Sequence, residues 1–279
     1  MRKSLLALFT VAISCVAFAA DVSDGTPVLD HGFQLLYRLD FGRAEQLFSG
    51  YQRDNPEDPL GPVSEAAGWL FSEFHRLGVL EAQFYEDDSI FAARKKLVPD
   101  QAVQEKFEAA LDRTELLAQK KLARDSRDHS ALFAMTLASG LRADFAALIE
   151  KHNLTSLHYT KEATGWAEQL LAVDPGCYDA HVATGISNYL VGSMAAPVRW
   201  VLRMGGVPAD KAAGIRELQM TASYGHYLAP FAKILLAIAY VRENDKARAL
   251  DLLAALNRDY PENPLFAKEI ARLDSSKAR

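Results

Sequence analysis

Apolar residues recur at helical spacing along most of the chain, and proline, glycine and aspartate punctuate the runs. Leu29, Phe33, Leu36 and Tyr37 share one stripe, Asp40-Phe41-Gly42-Arg43 makes a turn, and Ala44, Leu47, Phe48 and Tyr51 form a second stripe that stops at Asn55-Pro56. Proline ends a helix because it lacks an N–H and its ring meets the preceding turn. The pattern predicts a helical hairpin. Its spacing returns twice: Gly32, Ala44, Phe48 and Pro56 are matched by Lys151, Ala163, Ala167 and Pro175, and by Ala237, Ala249, Leu253 and Pro261. One hairpin cannot bury its own apolar face, so such units stack on their neighbours. The expected fold class is all-α: an α-solenoid of stacked helical hairpins winding as a right-handed superhelix.

Between these units, Leu60 to Leu77, Val79 to Lys96, Gln101 to Arg124 and His129 to Ala146 predict helices, with Gly140 at a close helix contact. Leu148 to Val173 predicts the second hairpin. Tyr178 to Val191 predicts the first helix of another, with Gly185 at its small-residue position, but Pro197 stands where the alanine is expected and the register breaks. The replacement stretch, Gly192 to Pro208, is apolar, is bracketed by glycine and proline, and carries Trp200 between Arg199 and Arg203. It predicts an inserted short helix near 192–208. Ala209 to Ser223, Tyr227 to Arg242 and Lys246 to Tyr260 resume the array, and the charged run Pro264 to Leu273 suits a terminal cap.

The spacing, together with Tyr240, Ala249 and Asp259-Tyr260-Pro261-Glu262-Asn263-Pro264, resembles the tetratricopeptide repeat (TPR). The repeat's usual tryptophan is missing from all three units, and Lys151 stands where Gly or Ala is typical. The segment Gly185 to Ala222, with Asn188-Tyr189, Pro197, Trp200, Leu202 and Gly205-Gly206, resembles bacterial exported TPR proteins. Their layout is similar to the eukaryotic inclusion-body-clearance and tetratricopeptide-39 family. The resemblance implies a non-enzymatic protein of helical hairpins and carries over no catalytic residue.

The first residues, MRKSLLALFTVAISCVAFA, place Arg2 and Lys3 before an apolar run from Leu5 to Phe18, with Ala17 and Ala19 spaced for a cut. A run of about fourteen residues falls short of the roughly twenty that span a bilayer, so residues 1–19 are expected to be a cleaved signal peptide. Residues 20–279 then form a single exported repeat domain, periplasmic or in the cell envelope. Removing Arg2 and Lys3 takes the formal charge from −5 to −7, which argues against a nucleic-acid partner. Cys177 is then the one remaining cysteine, so no internal disulfide is expected.

Chemistry-bearing patterns are sparse. The seven histidines form no HExxH pair, and Gly205-Gly206 is not followed by the Lys-Ser or Lys-Thr of a phosphate-cradling loop, so no metal or cofactor is expected. Cys177 and His181 are a bare nucleophile-and-base pair without a third orienting group, and Glu86-Asp87-Asp88 reads as a solvated helix face. What remains is recognition of a protein or peptide by the concave face that the first helix of each hairpin lines. Phe33, Tyr37, Asn188 and Tyr189 are the candidate contacts there, because rings and amides combine contact area with hydrogen bonding. A second reading gives the 192–208 segment contact with an apolar ligand or a membrane surface through Trp200 and Arg203.

Overall fold

A computed structural model of the chain describes residues 27–81, 96–194 and 210–275. The expected signal peptide, the acidic run at 86–88, and Trp200 and Arg203 lie outside them, as does nearly all of the expected inserted helix.

Among the described residues the secondary structure is helical throughout. Eleven α-helices succeed one another: α1 (Pro27–Tyr37), α2 (Phe41–Asp54), α3 (Leu60–Arg76), α4 (Gln101–Leu122), α5 (His129–Asp144), α6 (Asn153–Val173), α7 (His181–Gly192), α8 (Lys211–Tyr224), α9 (Ala229–Arg242), α10 (Lys246–Asp259) and α11 (Pro264–Ser275). Each packs on the next in the chain, and α3 also touches α1 and α5. That arrangement of neighbours is the expected all-α solenoid. Aspartates set several helix starts: Asp40, Asp100, Asp128, Asp210 and Asp245 each accept a hydrogen bond from a first-turn backbone N–H of α2, α4, α5, α8 and α10. An N-cap of this kind contributes about 1 kcal/mol, because it satisfies a donor that has no partner within the helix.

The first and third units form as hairpins. Gly32 on α1 lies against the Phe48 ring of α2, where a Cβ would collide with the aromatic carbons. Ala237 on α9 and Ala249 and Leu253 on α10 are buried in a common cluster. The middle unit does not form one. Ala163 and Ala167 sit on a single 21-residue helix, α6, and the break falls upstream, where a π-helical turn (Phe145–Glu150) ends at Lys151 with φ 60°. Nothing between Asn153 and Val173 interrupts the helical pattern except Gly165, whose missing side chain faces open space. The hairpin there is α5 with α6. Gly140 also departs from expectation, since a Cβ at that position would meet nothing within 4 Å.

The close helix approach lies instead between α7 and α8. A Cβ on Gly214 would fall 2.5 Å from the Tyr189 nitrogen and 2.6 Å from the Gly185 oxygen, and one on Gly192 would fall 2.5 Å from the Lys211 nitrogen. Gly185 at the predicted small-residue position therefore has a partner glycine on α8.

Candidate functional site

The inner side of the array is filled by the chain itself. Tyr227, in the connection between α8 and α9, lies with its ring 4.8 Å from that of Phe33 on α1 and 6.1 Å from that of Phe133 on α5. Phe231 on α9 meets Phe71 on α3 edge-on at 5.8 Å. The first hairpin is thereby joined to the last ones. The Tyr37 hydroxyl donates to the Tyr227 carbonyl at 2.9 Å, the Tyr260 hydroxyl donates to Gln34 Oε1 at 2.8 Å, and the Asn263 amide donates to the Tyr37 carbonyl at 2.9 Å. Arg38 and Glu262 pair at 3.9 Å on the outside of this seam. Burial, reinforced by the negative potential of Asp179 and Tyr260, pushes the Tyr37 phenol well above its usual range, so it stays a neutral donor.

Asp179 anchors the seam. It is 4% exposed, its Oδ2 accepts from the Tyr227 N–H at 2.8 Å and its Oδ1 from the Leu228 N–H at 3.1 Å. Burial raises its carboxyl despite these bonds, which favour the ionised form. Gly225 is required beside it, because a Cβ there would fall 2.5 Å from Asp179 Oδ1.

These positions define what the four described candidate contacts do. Phe33 is 5% exposed and packed between Phe48 and Tyr227. Tyr37 is committed to the seam. Asn188 is 8% exposed; its amide donates to Glu217 Oε2 at 3.1 Å and its Oδ1 accepts from the Asp210 N–H at 3.3 Å, which fastens α7 to the start of α8. Tyr189 is buried, with its hydroxyl 3.4 Å from the Ala239 carbonyl. All four face inward onto the chain's own residues.

Exposed aromatic groups do remain where residues 174–178 meet residues 224–226. Tyr224, at the end of α8, is 68% exposed and its ring lies 5.1 Å from that of Tyr178. The pair stands on a fixed base: the Thr221 hydroxyl donates to the Tyr178 carbonyl at 2.7 Å, and Asp179 holds the residues immediately after His226. His226 Nε2 is 2.5 Å from Asp30 Oδ1 at the rim of the seam. This ledge was hidden in the sequence because Tyr178 and Tyr224 lie far apart along the chain, Tyr178 just ahead of α7 and Tyr224 at the end of α8. The one local signal was the turn Asp174-Pro175-Gly176, which brings the chain to the surface just before Tyr178.

The same edge gathers His129, Asp174 and Cys177, all half-buried, with one donor atom of each within 4.8 Å of the others. His129 Nε2 lies 3.1 Å from Asp174 Oδ2. Cys177 thus meets Asp174, three residues before it, and a histidine that sequence spacing did not offer, since His129 comes from the start of α5. His181, the histidine paired with it by spacing, has its pKa lowered by burial, and its ring lies 6.4 Å from that of Tyr178.

No protein-family model matches the chain, and no curated protein matches it. Among solved structures the chain is similar to a thermophilic TPR protein from Thermus thermophilus, with a TM-score of 0.46 and 16% identity, covering 88% of this chain and 96% of that one. One helical stretch among the described residues, His129–Glu150, is long and apolar enough to cross a membrane, but it is largely buried within the fold as a core helix.

Proposed function

We propose that this chain is an exported, non-enzymatic scaffold that binds a partner protein at the ledge formed by Tyr178 and Tyr224, rather than along its inner face. The exposure of Tyr224 at the anchored end of α8 carries the reading. A large ring held in solvent gains contact area on binding at little cost in chain ordering, which is the property of residues that dominate protein interfaces. The composition of residues 1–19 supports export. The inner face is argued against by the burial of Phe33 and Tyr189.

The test is capture from envelope extract with the mature protein, its Tyr224→Ser variant, and a control substitution at the exposed Leu116 of α4. Loss of a dominant protein with Tyr224→Ser but not with Leu116→Ser is the expected outcome. An identical set of captured proteins for all three overturns the proposal.

A second reading has its own observation. Leu190 and Met194, at the end of α7, are exposed apolar side chains leading into the segment that carries Trp200 and Arg203. Contact of residues 192–208 with an apolar ligand or a membrane surface would use them together. Liposome flotation decides it: binding that falls with Trp200→Ala supports this reading, and no flotation of the unsubstituted protein ends it.

A further inference from the structure

We propose that His129, Asp174 and Cys177 form a binding site for a divalent cation of the zinc class. The three donors are an imidazole nitrogen, a carboxylate oxygen and a thiol sulfur, and this mixed set suits zinc better than magnesium or calcium, which prefer oxygen alone. A tetrahedral zinc ion with bonds of about 2.0–2.3 Å sets its donors roughly 3.3–3.7 Å apart. The His129–Asp174 pair is already at 3.1 Å, and the thiol closes the triangle within 4.8 Å. The fourth position is left to water, because the described residues bring three such donors to this point and each is only half-buried.

The local backbone fits the role. Asp174 caps the end of α6, and the turn beyond it returns Cys177 beneath it: the Cys177 N–H donates to the Asp174 carbonyl at 3.2 Å, and the Gly176 N–H donates to Asp174 Oδ1 at 2.8 Å. The second bond holds one carboxylate oxygen and aims the other, Oδ2, at His129. Orientation of a ligand by such an outer hydrogen bond is the usual support of a metal site. His129 is fixed at the opposite side as the first residue of α5, immediately after its N-cap Asp128.

Proton accounting is simple. The thiol must ionise to become a ligand, so each bound ion releases one proton to solvent. At a pH where the imidazole is already neutral, coordination through Nε2 places its remaining proton on Nδ1, a tautomeric change with no net release.

The experiment uses untagged, reduced, metal-free protein titrated with Co2+ and then with Zn2+. One Co2+ per chain with a sulfur-to-cobalt charge-transfer band, displaced by Zn2+ with release of one proton, is the expected result. Cys177→Ser should abolish the band, and His129→Gln and Asp174→Asn should each weaken binding at least about tenfold, as loss of a direct ligand exceeds loss of an outer-shell partner. Circular dichroism of the metal-free variants reports whether they fold. Independently of any variant, Zn2+ should slow alkylation of Cys177 in the unsubstituted protein at least about tenfold. Absence of the band, unchanged affinity in folded His129→Gln, or an alkylation rate indifferent to Zn2+ would overturn the site and leave the three residues as an interhelical hydrogen-bonded contact.

Discussion

Replacing Asp179 by alanine tests whether the inner seam is built as described. The substitution removes the acceptors of the Tyr227 and Leu228 N–H groups at a position 4% exposed to solvent, where water does not readily replace them. A hydrogen bond to a charged acceptor contributes roughly 1.5–3 kcal/mol, so the two together represent about 3–6 kcal/mol. Part of that is offset because the variant no longer buries a carboxylate, a cost visible in the raised pKa of Asp179. The expected net loss is about 2–4 kcal/mol in urea-induced unfolding. Asp179→Asn should recover little of it, since the amide nitrogen turns a donor toward backbone donors. The loss should also be localised: with its anchor gone, Tyr227 separates from Phe33, and hydrogen exchange at residues 225–231 should accelerate well before exchange in α5. A stability within about 0.5 kcal/mol of the parent, or unchanged protection at Tyr227 and Leu228, would refute the role given to Asp179.

The geometry fixes three further outcomes. Gly214→Ala should destabilise by about 1–3 kcal/mol because its methyl meets the backbone of α7, whereas Gly140→Ala, with open space around it, should stabilise by about 0.5–1 kcal/mol through helix propensity alone; denaturation midpoints of the two variants check both signs. Tyr37→Phe should cost about 0.5–1.5 kcal/mol by removing the bond to the Tyr227 carbonyl, and combined with Asp179→Ala it should cost less than the sum, because both act on one segment. Burial and the neighbouring Glu65 raise the Glu45 carboxyl from 4.5 to about 7, against the opposing effects of Ser49 and Lys106. The folded state therefore keeps a proton that the unfolded chain releases, and the stability this group confers is complete below about pH 4.5 and lost as pH rises to about 7; Glu45→Gln should flatten that part of the stability profile measured by urea unfolding.

The helices themselves were largely legible because their signals are local. Apolar periodicity, aspartate caps and prolines after α2 and α10 act within a few residues of the structure they specify, and the first and third hairpins result from them. The middle unit failed for an equally physical reason. Alanine positions twelve and sixteen residues after Lys151 satisfy the spacing of a hairpin and of one continuous helix alike, and only a turn residue between them would have distinguished the two. Gly165 was not that residue, and the turn formed at Lys151 and His152 instead. Gly185 was readable as a small-residue position, while its partner Gly214 was not, because helix pairing across 29 residues leaves no periodic trace in either helix alone.

The inner face was illegible for the same reason on a larger scale. Repeat spacing predicts which helix faces inward but not what those side chains will meet there, and Tyr37 meets residues 190 and 226 positions away. Had the array remained open, Phe33 and Tyr37 would have been groove residues. Closure turns these two onto the chain's own residues, and it does so through side chains: the seam hydrogen bonds of Tyr37, Tyr260, Asn263 and Asp179 each use at least one. Such a contact gains only about 0.5–1.5 kcal/mol per neutral bond, so the seam is the part of the molecule where small changes in the anchor Asp179 have the largest structural consequence. The ledge stands on that anchor. Tyr178 directly precedes Asp179, and Tyr224 adjoins Gly225, which leaves room for the Asp179 carboxylate. If a partner docks at Tyr224 as proposed, its binding is coupled to seam closure at Tyr227 through one residue, and a substitution that opens the seam should weaken capture even though it leaves both tyrosines in place.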